Sequence, residues 1–471
     1  MPANQLPDIQ HVVHLMLENR SFDHMLGFLY PYGPGFEGLT GQEWNPDTSG
    51  NHVSVFKINP SAPGAYFMPG ADPGEGYANT NSQLFGSGTA PVPPVATNQG
   101  FVTNFDATLA WDPKMGRSVQ AGTTASSIMG IFTPEALPIL SGLASGFAVC
   151  DHWYSSVPTE TFPNRAFACA ATSQGHMNDA TASYTVQSIF GLMSANGKTW
   201  KIYGYNQEPM TRNNFPDTLK APDTNFGKWS DFTTDAAQGQ LPQYSFLEPE
   251  WGSQGNSQHP NYDVSLGEKL IHDVYYALRS NASAWNQTLL FITYDEHGGC
   301  YDHVPPPSGA VPPDNTPGDY GFDFKRFGVR VPAVLVSPLI PKGTVFRVPD
   351  GSMPLDHTSV LKTVETLFGL PALTARDAAA PDVLGVLTLE TARPADDDPL
   401  QGVDPPQSQG ANPAAGEVSH IQQVDAQLTA ELPVPNEQLR SAPALHGLNT
   451  PQDYDNFTSS RTATWKAARG T

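Results

Sequence analysis

The chain has 471 residues, a formal net charge of −22 and only three cysteines. Such an acidic balance repels phosphate backbones, which excludes general nucleic-acid binding, and any anionic substrate then needs a local cation. Cys150, Cys169 and Cys300 are too few and too unevenly spaced for a disulfide framework or a thiolate zinc site, and no run of about 18 apolar residues is present to span a membrane.

The N-terminal stretch lacks a basic start and an uninterrupted apolar segment before a small-residue cleavage site, so no signal peptide is read. The expected location is the cytoplasm, or outside by a route without a cleavable signal. Residues 12–17, an apolar run, fit a strand buried on both faces and break abruptly into Glu18, Asn19 and Arg20. In open α/β sheets ligands bind beyond the carboxyl ends of strands, where this carboxylate and amide fall. Residues 30–125 are rich in Gly, Pro, Asn and Ser with little periodicity and read as long surface excursions that wall a pocket.

Residues 136–144 recur at helical spacing before a strand at 147–150. A polar segment follows in which Pro158 and Pro163 flank Thr161, ahead of the helix-favourable 166–171. A hydroxyl just before a helix is either its N-cap or a nucleophile. Short strands are expected at 199–204 and 243–247, a helix at 267–279 and a strand at 288–294. Residues 331–336 make a further strand, with Pro332 marking an edge or a strand start. This helix-then-strand alternation argues an α/β fold, a mainly parallel sheet with helices on both faces.

The strand at 288–294 ends in Asp295, Glu296, His297, Asp302 and His303, and Gly298–Gly299 allows a tight turn between them. A solvated acidic turn is the plain alternative. His357 starts a helix over 358–368, and a Pro- and Asp-rich stretch begins after about residue 385, with one short helix at 420–432. The expected organisation is a catalytic domain over 1–385 and an extension over 386–471 packed on it or tethered to it. Three strand ends thus supply Glu18 with Asn19, Thr161, and Asp295 with Glu296. Oxygen ligands of this kind suit one divalent metal ion, Ca²⁺, Mg²⁺ or Mn²⁺ before Zn²⁺, with a nearby hydroxyl activated by coordination.

The segments ENRSFDHMLG (18–27), TFPNR (161–165), QHPNYDV (258–264), YDEHGGCYDHVPPP (294–307) and HTSVLKTVE (357–365) resemble the successive motifs of the phosphoesterase family. That family holds bacterial phospholipases C, plant non-specific phospholipases C and related acid phosphatases. The resemblance implies an alkaline-phosphatase-like core with long loop insertions. It further implies that Glu18, Asn19, Asp295 and Glu296 hold the metal, that Thr161 is the nucleophile and that His259 assists. Asn164 and Arg165 are expected to bind substrate, Arg165 having a carboxylate such as Asp151 as its alternative partner. His303 and His357 are read as catalytic or supporting groups, and His11, His14, His24, His52, His176, His272, His420 and His446 as ordinary. The family pattern Asp-Pro-Gly-His departs here: Asp72–Pro73–Gly74 is followed by Glu75, which becomes the candidate proton donor.

The expected activity is metal-dependent hydrolysis of phosphoric esters, foremost as a phospholipase C on phospholipid head groups. An acid phosphatase acting on small monoesters and a non-catalytic binding protein on a decayed hydrolase scaffold are the alternatives. The expected partners are a phospholipid or small phosphoester and at most a transient membrane surface; the oligomeric state is not read.

Overall fold

A computed structural model describes residues 8–469 apart from 181, 350, 435–444 and 446, so His446 lies outside the described residues. Eight strands build the central sheet: β1 (His11–Leu17), β2 (Ala148–Val149), β3 (Trp200–Gly204), β4 (Phe226–Lys228), β5 (Tyr244–Leu247), β6 (Thr288–Tyr294), β7 (Ala333–Val336) and β8 (Thr344–Val345). Their order is β8-β2-β7-β6-β1-β5-β3-β4. β1 lies in parallel between β6 and β5, with Val12 opposite Leu289 on one side and Tyr244 on the other. β7 runs antiparallel to both β6 and β2, while the remaining pairs are parallel.

Successive strand residues point to opposite faces, and every residue of β6 is buried, so both faces of the sheet are covered. The α/β architecture with a mainly parallel sheet is therefore the one expected. His14 sits in the middle of β1 and is satisfied by the strands beside it: Nε2 lies 2.7 Å from the Thr293 hydroxyl and Nδ1 3.2 Å from that of Tyr244. Pro332 precedes the first paired residue of β7, which is an interior strand, so it marks a strand start and its missing N–H costs no ladder bond.

The helices that frame the site are α1 (Tyr77–Phe85), α2 (Phe101–Trp111), α3 (Pro138–Gly146), α4 (Thr161–Ala170), α5 (Val264–Arg279), α6 (Thr358–Phe368), α7 (His420–Ala430) and α8 (Pro451–Arg469). Asp263 caps α5 by accepting the Ser265 N–H at 3.0 Å, and Val264, Leu270, Ile271, Val274 and Leu278 form its buried stripe. The excursions over 30–125 are not structureless, because α1 and α2 lie within them. Phe101, Val102 and Phe105 of α2 pack into a satellite core with Ile128, Met129 and Tyr301.

Beyond residue 385 the chain crosses the core as a strap. Asp398 accepts from the Tyr275 and Tyr276 hydroxyls at 3.0 and 3.1 Å, and Leu400 inserts into the main apolar cluster. Ile421, Val424 and Leu428 of α7 then pack on Phe162, Met210 and Trp251. None of the described helices is long and apolar enough to cross a membrane.

Candidate active site

β1 delivers Glu18 and Asn19, and β6 delivers Asp295 and Glu296, all four fully buried. Asn19 is left-handed (φ 53°), a conformation asparagine tolerates better than most residues, and this turns its groups in several directions. Its backbone N–H donates to Asp295 Oδ1 at 3.0 Å, and its side-chain amide donates to Glu75 Oε2 at 2.7 Å. Its Oδ1 accepts the Thr161 hydroxyl at 3.4 Å. One asparagine therefore joins the β6 end, the Glu75 loop and the head of α4.

Thr161 is the first residue of α4 and Glu160 is the N-cap, so the threonine hydroxyl is not spent on capping. The cap is supplied from outside, by Asp179 Oδ1 accepting the Phe162 N–H at 2.8 Å. Glu160 in turn accepts the Asp179 N–H at 2.7 Å, and burial followed by the charge of Asp179 raises its carboxyl to about 7.

The carboxylates differ in how they are satisfied. Asp295 accepts the Glu296 N–H at 2.8 Å as well as that of Asn19, and its second oxygen takes Arg165 Nε at 2.9 Å. Glu296 Oε2 accepts the Gly298 N–H at 2.7 Å, but Glu296 Oε1 and both oxygens of Glu18 lack a hydrogen-bond partner of acceptable geometry. Burial is the main reason both glutamates are pushed up; Asp295 adds repulsion to each, and Glu75 does so for Glu296. Glu75 itself is pushed well up by burial and then by Asp72 and Asp179.

Of the remaining expected site residues, His259 sits beside this cluster. Its Nδ1 is 2.9 Å from the Pro260 carbonyl, which places the proton there and leaves Nε2 facing Asp72 Oδ1 at 3.9 Å. His357 braces Asp295 from behind, Nε2 lying 2.6 Å from its carbonyl oxygen. Arg165 pairs with Asp295 and lies 4.6 Å over the Trp251 ring; Asp151 is taken by Arg347 instead, at 2.7 Å. The Asn164 amide nitrogen donates to the carbonyls of Val157, Thr159 and Glu160, so it is spent on shaping the loop before Thr161. His303 belongs elsewhere, 2.6 Å from Asp23 in a buried network whose two carboxylates, Asp23 and Asp302, are bridged by Arg330.

Among the described residues, two groups bring acidic and imidazole ligand atoms within 4.8 Å of one another: Asp23 with Asp302 and His303, and Asp72 with Glu75 and His259. The first already holds a guanidinium. The second borders the open side of the site, where a cavity of about 460 Å³ is lined by Glu75, Asn79, Trp111, Arg117, Glu160 and His420. An adjoining cavity of about 500 Å³ adds Asp72, His259 and Tyr262 and shares Trp111, Arg117 and His420. His420, read from sequence as ordinary, is thus a wall of the site, and Glu160 and Asp179 were not singled out at all. Glu160 was findable as the carboxylate adjoining Thr161; nothing local marks the other two.

Residues 9–371 match the phosphoesterase family. Non-specific phospholipase C6 of Arabidopsis thaliana is 39% identical over 407 residues, covering 81% of this chain and 73% of that protein. Phospholipase C A of Mycobacterium tuberculosis is 29% identical over 454 residues, 85% and 82% of the two chains. Among solved structures, a protein in the alkaline phosphatase superfamily from Vibrio parahaemolyticus aligns with 52% of this chain and 64% of its own, at 16% identity and a TM-score of 0.30. The class these matches define is the hydrolases of phosphoric esters. The chain belongs to the phosphoesterase family.

Proposed function

We propose that this enzyme is a phospholipase C that cleaves the phosphodiester between diacylglycerol and head group, with Thr161 as nucleophile. The observation that carries the reading is the placing of Thr161. Its hydroxyl stands at the head of a ten-residue helix, hydrogen-bonded to Asn19, whose neighbour Glu18 and whose partner strand end at Glu296 keep three buried carboxylate oxygens without a donor of acceptable geometry. The names of its relatives, phospholipases C of a plant and a bacterium, support the substrate class.

The chemistry of the donor set suits a divalent cation, although Glu18, Asp295 and Glu296 do not bring three ligand atoms within 4.8 Å of one another in this structure. An ionised carboxylate buried without a partner is strongly unfavourable, and Glu18 with Glu296 offers three such oxygens beside Asn19 and Asp295. An all-oxygen set favours Ca²⁺, Mg²⁺ or Mn²⁺ over Zn²⁺. A bound cation supplies positive charge against the non-bridging phosphate oxygens. Asn19 fixes the rotamer of Thr161, the positive end of α4 favours the developing alkoxide, and His357 with Arg165 holds Asp295 in place.

The test is Thr161→Ala, assayed with a choline phospholipid, nitrophenyl phosphorylcholine and nitrophenyl phosphate, each with and without chelator. Turnover of the two diesters should fall by at least about 10³-fold with the fold intact, Thr161→Ser should retain some, and acid-quenched wild type should carry the head-group phosphate on residue 161. Activity surviving in Thr161→Ala would mean that water attacks directly. A preference for nitrophenyl phosphate over both diesters would favour a phosphatase.

A further inference from the structure

The family match ends at residue 371, yet the site does not. We propose that His420, the first residue of α7, is the proton donor to the departing alcohol; the inference rests on Thr161 being the nucleophile.

His420 Nε2 lies 2.9 Å from Asp179 Oδ2. The other oxygen of that carboxylate holds the Phe162 N–H, one residue past Thr161, so a single aspartate ties the imidazole to the helix that carries the nucleophile. Nδ1 has no hydrogen bond among the described residues, and the side chain is 40% exposed, on the wall shared by both cavities. An imidazole anchored by a carboxylate at one nitrogen, with the other unbonded on a partly exposed side chain lining a cavity, is the arrangement that general acid–base catalysis requires. It is also held on apolar packing, since Ile421 beside it is 2% exposed against Phe162 and Trp251.

The charges facing it come from five segments, Asp72 with Glu75, Arg117, Glu160, Asp179 and His259, and from Glu417 just ahead of its own helix. Burial opposes the imidazolium, but the hydrogen bond and charge of Asp179, reinforced by Glu75 and Glu160, hold it up to about 9. It is therefore charged at neutral pH and able to give a proton. Glu75 stands where the family pattern has a histidine, and His420 returns an imidazole to the same cavity from a different part of the chain.

In the first half-reaction Thr161 Oγ bonds to phosphorus and sheds its proton to water while the P–O bond to the alcohol breaks. The alcohol oxygen takes the Nδ1 proton, leaving a neutral imidazole. In the second, Nδ1 takes a proton from the attacking water, and the Thr161 oxygen leaves with a proton from solvent.

A good leaving group needs no proton and a poor one does, so His420→Gln should discriminate between two soluble phosphorylcholine esters, one of nitrophenol and one of a simple alkyl alcohol. The expected result is a fall of about 100-fold or more in kcat/KM on the alkyl ester and less than about threefold on the nitrophenyl ester. This ratio reports only the first half-reaction and so leaves out the imidazole's part in the shared second one; the pH limb and the other rate comparisons are read in kcat/KM as well. The wild-type rate on the alkyl ester should decline as pH rises through about 9, and that limb should vanish in the variant. Melting curves check the fold, and His420→Asn makes the same comparison if the glutamine variant does not fold. Equal losses on both esters, or wild-type rates on both, would overturn the proposal. A wild type inert on both esters sinks the phospholipase reading instead, whereas an active wild type that is lost in Thr161→Ala and untouched in His420→Gln sinks this inference alone.

Discussion

Glu18 carries two carboxylate oxygens at zero exposure with no donor of acceptable geometry, a state that folding tolerates only if something positive arrives or a proton is taken up. The expected consequence is that Mn²⁺ or Ca²⁺ raises the melting temperature, and that Glu18→Gln weakens the effect. At a hundredfold excess over Kd, ligand stabilisation is about 2.7 kcal/mol, and tenfold weaker binding removes about 1.4 kcal/mol of it. Melting curves with and without the ion check this, and an undiminished gain in the variant removes Glu18 from the ligand set. The sequence made Glu18, Asn19, Asp295 and Glu296 visible because each pair is adjacent and follows an apolar run. It could not show the Asp179–His420 pair, whose members stand 241 positions apart and meet only when α7 docks on Phe162 and Trp251.

The turn after β6 is where an element's geometry is set by single atoms. Gly298 (φ 60°) and Gly299 (φ 64°) are both left-handed, and a Cβ on Gly298 would stand 2.1 Å from the Asn19 carbonyl oxygen. Gly298→Ala therefore forces apart the two strand ends that build the site. We expect a loss of about 2 kcal/mol or more of stability, read as a lower denaturation midpoint, together with most of the activity. A variant that melts like wild type would show that the turn relaxes freely. Elements with apolar cores, β1, β5, β6 and α6, were legible because their periodicity matches their burial. α1 and α8 were not: α1 is short and polar, and α8 buries few side chains, Arg461, Thr462 and Trp465, over nineteen residues. The antiparallel direction of β7 was equally hidden, since a four-residue apolar strand reads the same either way.

Across the whole molecule, buried titratable groups set a pH window for stability. Burial holds Glu268 up to about 8, and burial with Asp377 nearby holds Glu365 up to about 9. Folded values above the unfolded ones mean that their contribution is complete below about pH 4.3 and is lost as pH rises through 8 and 9. His420, held up to about 9, adds to the same loss on the alkaline side. His14, His24 and His297 are depressed by burial, so their contribution disappears as pH falls below about 6.5. The melting temperature should peak near pH 6–7 and decline steadily toward pH 9.5; a rise between pH 7 and 9 would contradict this assignment of protons. Melts in chelator keep cation binding out of the comparison. The central place of β1 has a further outcome, for synthesis. It leaves the ribosome before every other strand of the sheet, and β5 and β6, its two neighbours, follow only after residues 244 and 288. At about 5–20 residues per second, that leaves an apolar strand without partners for roughly 10 s to a minute. The nascent chain must therefore be sheltered by a holdase or kept loosely collapsed until the sheet can close around its oldest strand.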